Sequence, residues 1–175
     1  MKLKKYFSAA LAAVMLVGSA AVGSISVSSA DGMPFSDVGK SDWFYDEVKY
    51  VYDNGYMEGT SGTTFEPRTN LTRAMFITIL GRIAGVTDGK SDSFPDTDKD
   101  TWYSKYVGWA LETGIVEGFP DGTFRPNEPM SREQMAAAMS RYIDAQNINM
   151  PRESDVPYVF ADADNIGGWA EEYVD

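Results

Sequence analysis

Two arginines stand 59 residues apart, each directly after a hydroxyl residue, in the pairs Thr72-Arg73 and Ser131-Arg132. Thr and Ser are favoured helix N-caps, so each arginine is expected in the first turn of a helix. A cation there opposes the helix macrodipole, and two copies in the same awkward place point to an anion nearby. A guanidinium fork beside free helix N–H groups makes a good carboxylate receptor. An internal salt bridge from these arginines to Asp37, Asp96 or Asp162 of a neighbouring unit is the plainer alternative, and the two roles can coexist.

The chain is poorly provided for catalysis. Its 175 residues include no Cys and no His, which removes thiolate zinc sites, a Cys nucleophile and the usual general base. Carboxylates are abundant, as in glycosidases, but nothing in the sequence sets two of them apart in an identifiable cleft. No enzyme is expected within this chain. Asp96, Asp98 and Asp100 imitate the opening of a calcium loop, but the sixth position is Thr101 rather than Gly and the twelfth is Val107 rather than an acid. That excludes an EF-hand and leaves weak surface calcium binding open; no cofactor and no structural metal site is expected. With 15 Lys+Arg against 26 Asp+Glu the formal net charge is −11, which disfavours nucleic acid and anionic lipid surfaces as partners. An anionic ligand must therefore be held by a local cluster of donors. An apolar fraction of 43% suffices for one ordinary core, or for a few small repeats sharing one.

The elements that position the arginines recur. A shift of 59 residues superposes Phe35 on Phe94, Asp37 on Asp96, Trp43 on Trp102, Gly59 on Gly118, Phe65 on Phe124, Pro67 on Pro126 and Arg73 on Arg132. A third copy opens at Phe160, with Asp162 and Trp169, and has reached only the beginning of its first helix at Asp175. In each unit a first helix is expected from about Trp43 or Trp102, with Val48, Val51 and Tyr52, or Val107, Ala110 and Leu111, on its apolar face. Gly55 and Gly114 follow as left-handed C-caps. A Gly- and Thr-rich connection leads to Phe65-Glu66-Pro67 or Phe124-Arg125-Pro126. The second helix then starts at Thr72 or Ser131, and Ser131 with Gln134 makes a capping box that Met75 denies the first unit. Its apolar face is expected to be Phe76, Ile79, Leu80 and Ile83, matched by Met135, Ala138, Met139 and Tyr142. A two-helix unit of about 50 residues is marginal alone, so the units are expected to share a core. An incomplete third unit would leave part of that core uncovered, and the natural protein is expected to continue past Asp175.

Residues 1–30 read as an export signal: Lys2, Lys4 and Lys5, then an apolar stretch from Phe7 to Val17 too short to span a bilayer, then Ser28-Ser29-Ala30 at a cleavage position. The domain plan is thus signal peptide 1–30, repeat 1 at 31–93, repeat 2 at 94–159 and the start of repeat 3 at 160–175.

The ordered runs FSDV, W, GYMEG, TFEP, LTRAM and FPDT, W, GIVEG, TFRP, MSREQ, with a third opening FADA and W, resemble the S-layer homology domain. The resemblance implies an all-α fold of tandem helix–loop–helix repeats around a shared central bundle, pseudo-three-fold, with the third repeat truncated here. It implies noncovalent anchoring of an exported protein at the bacterial cell wall, by binding a pyruvylated secondary cell-wall polysaccharide in grooves between repeats. The family's Thr-Arg-Ala-Glu arginine, which contacts the acidic sugar, maps to Arg73 and Arg132; Met75 replaces the family's Glu in one copy, and the other reads Glu133-Gln134. The implied partners are the polymer attached to peptidoglycan and other S-layer subunits, without nucleic acid and without membrane once the signal is cleaved. Two alternatives stand beside it: an S-layer subunit that mainly self-assembles, and the anchor of a surface hydrolase whose catalytic domain lies beyond residue 175.

The remaining candidate carbohydrate-binding residues carry two readings each. Trp43 and Trp102 are core residues with a ring edge on the groove, or sugar-stacking platforms. Asp37 and Asp96 cap the first helix, or bind sugar hydroxyls or the arginine. Gly59 and Gly118 serve a tight turn, which also lets a ligand approach the backbone.

Overall fold

The structure, a computed structural model, describes residues 32–89, 94–150 and 160–174. The export signal read at 1–30 lies outside the described residues. The described elements are helical: α1 (Tyr45–Asp53), α2 (Arg73–Ile83), α3 (Ser104–Glu112), α4 (Arg132–Ala145), a 3₁₀ turn (Ala163–Asn165) and α5 (Glu171–Val174). An isolated antiparallel bridge pairs Thr72 with Pro129. The described residues are all-α, as the periodicity of the sequence implies.

Each unit is one helix, a connecting loop and a second helix. Gly55 and Gly114 take φ of 70° and 75° just past α1 and α3. The Tyr56 and Ile115 N–H groups close back on the Val51 and Ala110 carbonyls at 2.9 and 2.8 Å, which turns the chain sharply into the loop. The second helices start where their caps direct. Thr72 Oγ1 accepts from Met75 N at 3.3 Å, and Ser131 forms the full capping box with Gln134.

Two apolar clusters make up the core, and α2 belongs to both. Unit 1 gathers Phe35, Val48, Val51, Met57 and Phe65 against Met75 and Ile79 of α2. Unit 2 gathers Tyr103, Tyr106, Val107, Ile115 and Phe124 against Ala74, Ile77 and Leu80 of the same helix. All nine residues from Arg73 to Gly81 are consequently buried. This corrects the one-stripe expectation: Met75 and Ile77 join Phe76, Ile79 and Leu80 inside, while Ile83, past the last covering turn, is 40% exposed. Contact is close enough that a Cβ on Gly81 would lie 2.4 Å from the Tyr106 ring of α3. In α4 only Ala137, Ala138 and Tyr142 are buried, and its described partner is the short α5.

The units join at the N-terminus of α2. The Arg73 and Ala74 N–H groups donate to the Glu128 and Pro126 carbonyls of unit 2, each at 3.0 Å, and Met130 N–H donates to Leu71 O at 2.9 Å. Thr72 supplies acceptors for the next two, Met75 and Phe76. The whole first turn of α2 is therefore satisfied by protein, and no helix N–H is left there for an anion.

Candidate functional site: a guanidinium in the seam between repeats

Arg73 lies in this seam, 8% exposed. Its Nε donates to Phe124 O across the unit boundary at 2.8 Å. Its guanidinium carbon stands 4.7 Å from the centre of the Phe119 ring and 5.0 Å from that of Phe124, within the range where a cation is attracted to a ring face. Among the described residues Arg73 makes no ion pair, so the internal salt bridge to Asp37, Asp96 or Asp162 is not formed. Burial holds its pKa below the ordinary arginine value, with Arg125 adding to the depression while Glu128 and Asp96 oppose it. Folded proteins normally pair a charge this buried. Arg73 has one neutral acceptor, two ring faces and the outer edge of its fork still to satisfy.

Arg132, its counterpart in unit 2, is exposed at the start of α4. Beside it Glu133 accepts a hydrogen bond from Gly167 N at 3.0 Å, which ties the opening of the third copy to α4. Arg141 adds to that contact through Tyr173, whose hydroxyl accepts from its Nε and Nη2 at 3.3 and 3.2 Å.

The aspartates do not do what the sequence suggested. Asp37 accepts from the Phe65 and Glu66 N–H groups at 2.8 and 2.6 Å, and Asp96 from Phe124 and Arg125 at 2.8 and 2.7 Å. Both carboxylate oxygens are spent on the backbone of the Phe-x-Pro loop, whereas α1 and α3 begin without a side-chain cap. The clamp explains why Glu66 and Arg125 both sit at φ 59°, a left-handed conformation costly for a residue with a Cβ. Through Phe124 and Arg125, Asp96 also fixes the carbonyl that Arg73 grips.

Gly59 and Gly118 take φ of 83° and 80°, and a Cβ at either would lie 2.5 Å from the ring of Phe35 or Phe94. The space they leave is filled by their own unit's aromatic ring rather than by an approach to the backbone. The tryptophans diverge. Trp102 is partly buried and packs on both clusters, at the seam. Trp43, expected in the core, is 76% exposed with its neighbour Phe44 edge-on at 5.3 Å, which overturns the core reading for it.

Sequence reasoning missed Phe119, Arg125 and a recurring ion pair. Arg82 meets Glu58 at 3.1 Å and Arg141 meets Glu117 at 3.7 Å, the same pair one repeat apart. Their identity at the 59-residue shift was a usable signal. Phe119 and Arg125 left the opposite signal, since unit 1 has Thr60 and Glu66 in their places. Unit 1's corresponding loop borders a shallow cavity of about 330 Å³ lined by Asp37, Asp42, Phe44, Glu66, Pro67, Arg68 and Thr69. Arg73 is not among the residues that line that hollow. Among the described residues no cluster of three or more carboxylates could hold a metal ion.

The described residues thus form an all-α array of repeats with a buried guanidinium in the seam between two of them. The family model of the S-layer homology domain matches residues 34–75 and 93–136, and the chain belongs to this family. It is 37% identical over 149 residues to an endoglucanase of Bacillus sp. (strain KSM-635), covering 84% of this chain and 15% of that one. It is 31% identical over 122 residues to a cellulosome-anchoring protein of Acetivibrio thermocellus (66% and 27%), and 26% identical over 171 residues to the S-layer protein sap of Bacillus anthracis (97% and 20%). The chain thus spans between 15% and 27% of each of these relatives.

Proposed function

We propose that this chain attaches an exported protein to the bacterial cell wall by holding an anionic secondary wall polysaccharide between its repeats. S-layer homology domains are binding modules that anchor surface proteins at the cell wall, and the relatives named above include a cellulosome-anchoring protein and an S-layer protein. The carrying observation is Arg73, more than nine-tenths buried and unpaired, with its fork edge free beside two aromatic rings. A carboxylate such as the pyruvyl group of a modified amino sugar supplies the missing counter-ion, and the sugar body lies along Phe119 and the Trp102 edge of the seam. Arg132 holds the corresponding charge at a more open position between unit 2 and the third copy. Residues 1–30 serve as the export signal, followed by repeats at 31–93 and 94–159 and the opening of a third at 160–175. Reactions such as that named for the endoglucanase belong to other parts of those longer proteins; the part shared with this chain supplies attachment.

The test is co-sedimentation of the chain with purified sacculi, before and after hydrofluoric acid strips the attached polymer. Binding should require the polymer. Arg73→Ala should weaken it about 10- to 100-fold, the loss expected for a buried charge-assisted contact, and Arg132→Ala should weaken it less. Equal binding to stripped sacculi, or an Arg73→Ala chain that is folded by circular dichroism and binds normally, would overturn the assignment.

A further inference from the structure

Unit 2 carries four residues for which unit 1 has no equivalent, and one of them, Phe119, meets the Arg73 guanidinium directly. Phe119, Asp121, Arg125 and Glu128 stand where unit 1 has Thr60, Gly62, Glu66 and Thr69. They form one network. The Arg125 guanidinium carbon lies 4.0 Å from the centre of the Phe119 ring, the same ring that Arg73 approaches at 4.7 Å. Arg125 Nη2 reaches Asp121 Oδ2 at 2.8 Å, its Nε donates to Thr123 Oγ1 at 3.2 Å, and its Nη1 stands 3.7 Å from Glu128 Oε2.

Glu128 is the residue whose backbone carbonyl holds the Arg73 N–H. Its carboxylate is near enough to act electrostatically on the unpaired Arg73 guanidinium, yet its ion pair is with Arg125. Asp121 is likewise paired with Arg125, and accepts from Thr123.

We infer that Arg125 is a positioning residue which detains the Glu128 carboxylate and so keeps Arg73 open to an external anion. The inference rests on the anion-binding reading of Arg73 and extends it to what keeps the chain's own carboxylates off that site. The physical reason is competition. A tethered carboxylate has a high effective concentration, so without a rival cation Glu128 pairs with Arg73 and an external carboxylate must displace it. Arg125 offers that rival pairing at the exposed rim, where the clamp of Asp96 on its N–H fixes its backbone. The same network supports the Phe119 ring between the two guanidiniums' reach, in place of the threonine of unit 1. Anion binding is therefore built into the seam that unit 2 makes with Arg73, and the loop of unit 1, with Glu66 in place of the arginine, lacks this device.

The variant Arg125→Ala should bind polymer-bearing sacculi about 10-fold more weakly than the parent, and the double variant Arg125→Ala/Glu128→Gln should recover to within about 3-fold of it. A role confined to holding the loop in shape predicts no recovery. The second readout needs no ligand. In nitrogen-15 spectra of the side chains, guanidinium rotation of Arg73 should slow in Arg125→Ala, through pairing with Glu128, and return to the parent rate in the double variant. Unaltered sacculus binding by Arg125→Ala, a double variant no better than the single, or Arg73 rotation indifferent to both changes would overturn the inference. Polymer binding that is insensitive to Arg73→Ala would instead overturn the anion site itself, leaving the rotation measurement to judge the competition between Arg73 and Arg125 for Glu128.

Discussion

A single aspartate per repeat does more for the seam than its position near a helix start suggested. Asp37 and Asp96 each take two consecutive backbone N–H groups from a loop 28 and 29 residues away. Bonds from N–H groups to an ionised acceptor are among the stronger ones in a protein, and a donor left without its acceptor costs the full desolvation penalty. In unit 2 the clamp matters twice, because the clamped residues, Phe124 and Arg125, supply the carbonyl for Arg73 and the rival cation for Glu128. Asp96→Asn keeps the shape but turns an amide N–H₂ toward one of the two donors. It should lower stability by about 1–3 kcal/mol, read as a fall in the urea midpoint, with Asp37→Asn behaving alike. Midpoints unmoved by either change would show that the loop is held by other contacts.

At the scale of the element, α2 is unusual in being buried on both sides. Its first turn is satisfied by unit 2 carbonyls and by Thr72, and its body separates two apolar clusters. A hydroxyl at mid-helix does not fit that setting. Thr78 is 0% exposed and its Oγ1 has no partner, so folding strips the hydroxyl of water without replacement. Val has nearly the same volume and helix propensity. Thr78→Val should therefore raise stability by about 1 kcal/mol, measurable by thermal or urea unfolding; a loss would reveal a hydrogen bond that the hydroxyl makes. The helix faces were legible only in part. Caps and C-terminal glycines follow from local chemistry and stand where Thr72, Ser131, Gly55 and Gly114 imply. The stripe Phe76, Ile79, Leu80, Ile83 assumed one covering surface, and α2 has two.

For the whole molecule, the shared helix makes the repeats interdependent. Val48, at the centre of unit 1, and Val107, at the centre of unit 2, are both fully buried and lie against opposite sides of the layer that α2 completes. Loss of either cluster exposes one side of α2, and neighbour contact is the dominant stabilising term in repeat proteins. Val48→Ala should cost about 2 kcal/mol and lower one common unfolding transition that includes unit 2, with calorimetric and van't Hoff enthalpies remaining equal. Two resolved transitions, of which only one responds to Val48→Ala, would show the units to be independent.

The sequence by itself determined the repeat, its period, the helical class, the caps and the family, because these depend on local chemistry and on residue types recurring at a fixed spacing. It also marked Arg73, since a cation just inside a helix start conflicts with the local dipole. Only the tertiary structure decided that Arg73 is buried and unpaired while Arg132 is exposed, that the aspartates clamp a distant loop, and that Trp43 faces solvent. The reason is that identical motifs meet different neighbours. Arg73 has unit 2 closed over it, Arg132 has the opening of a third copy, and one-dimensional spacing carries no record of which surface each repeat receives.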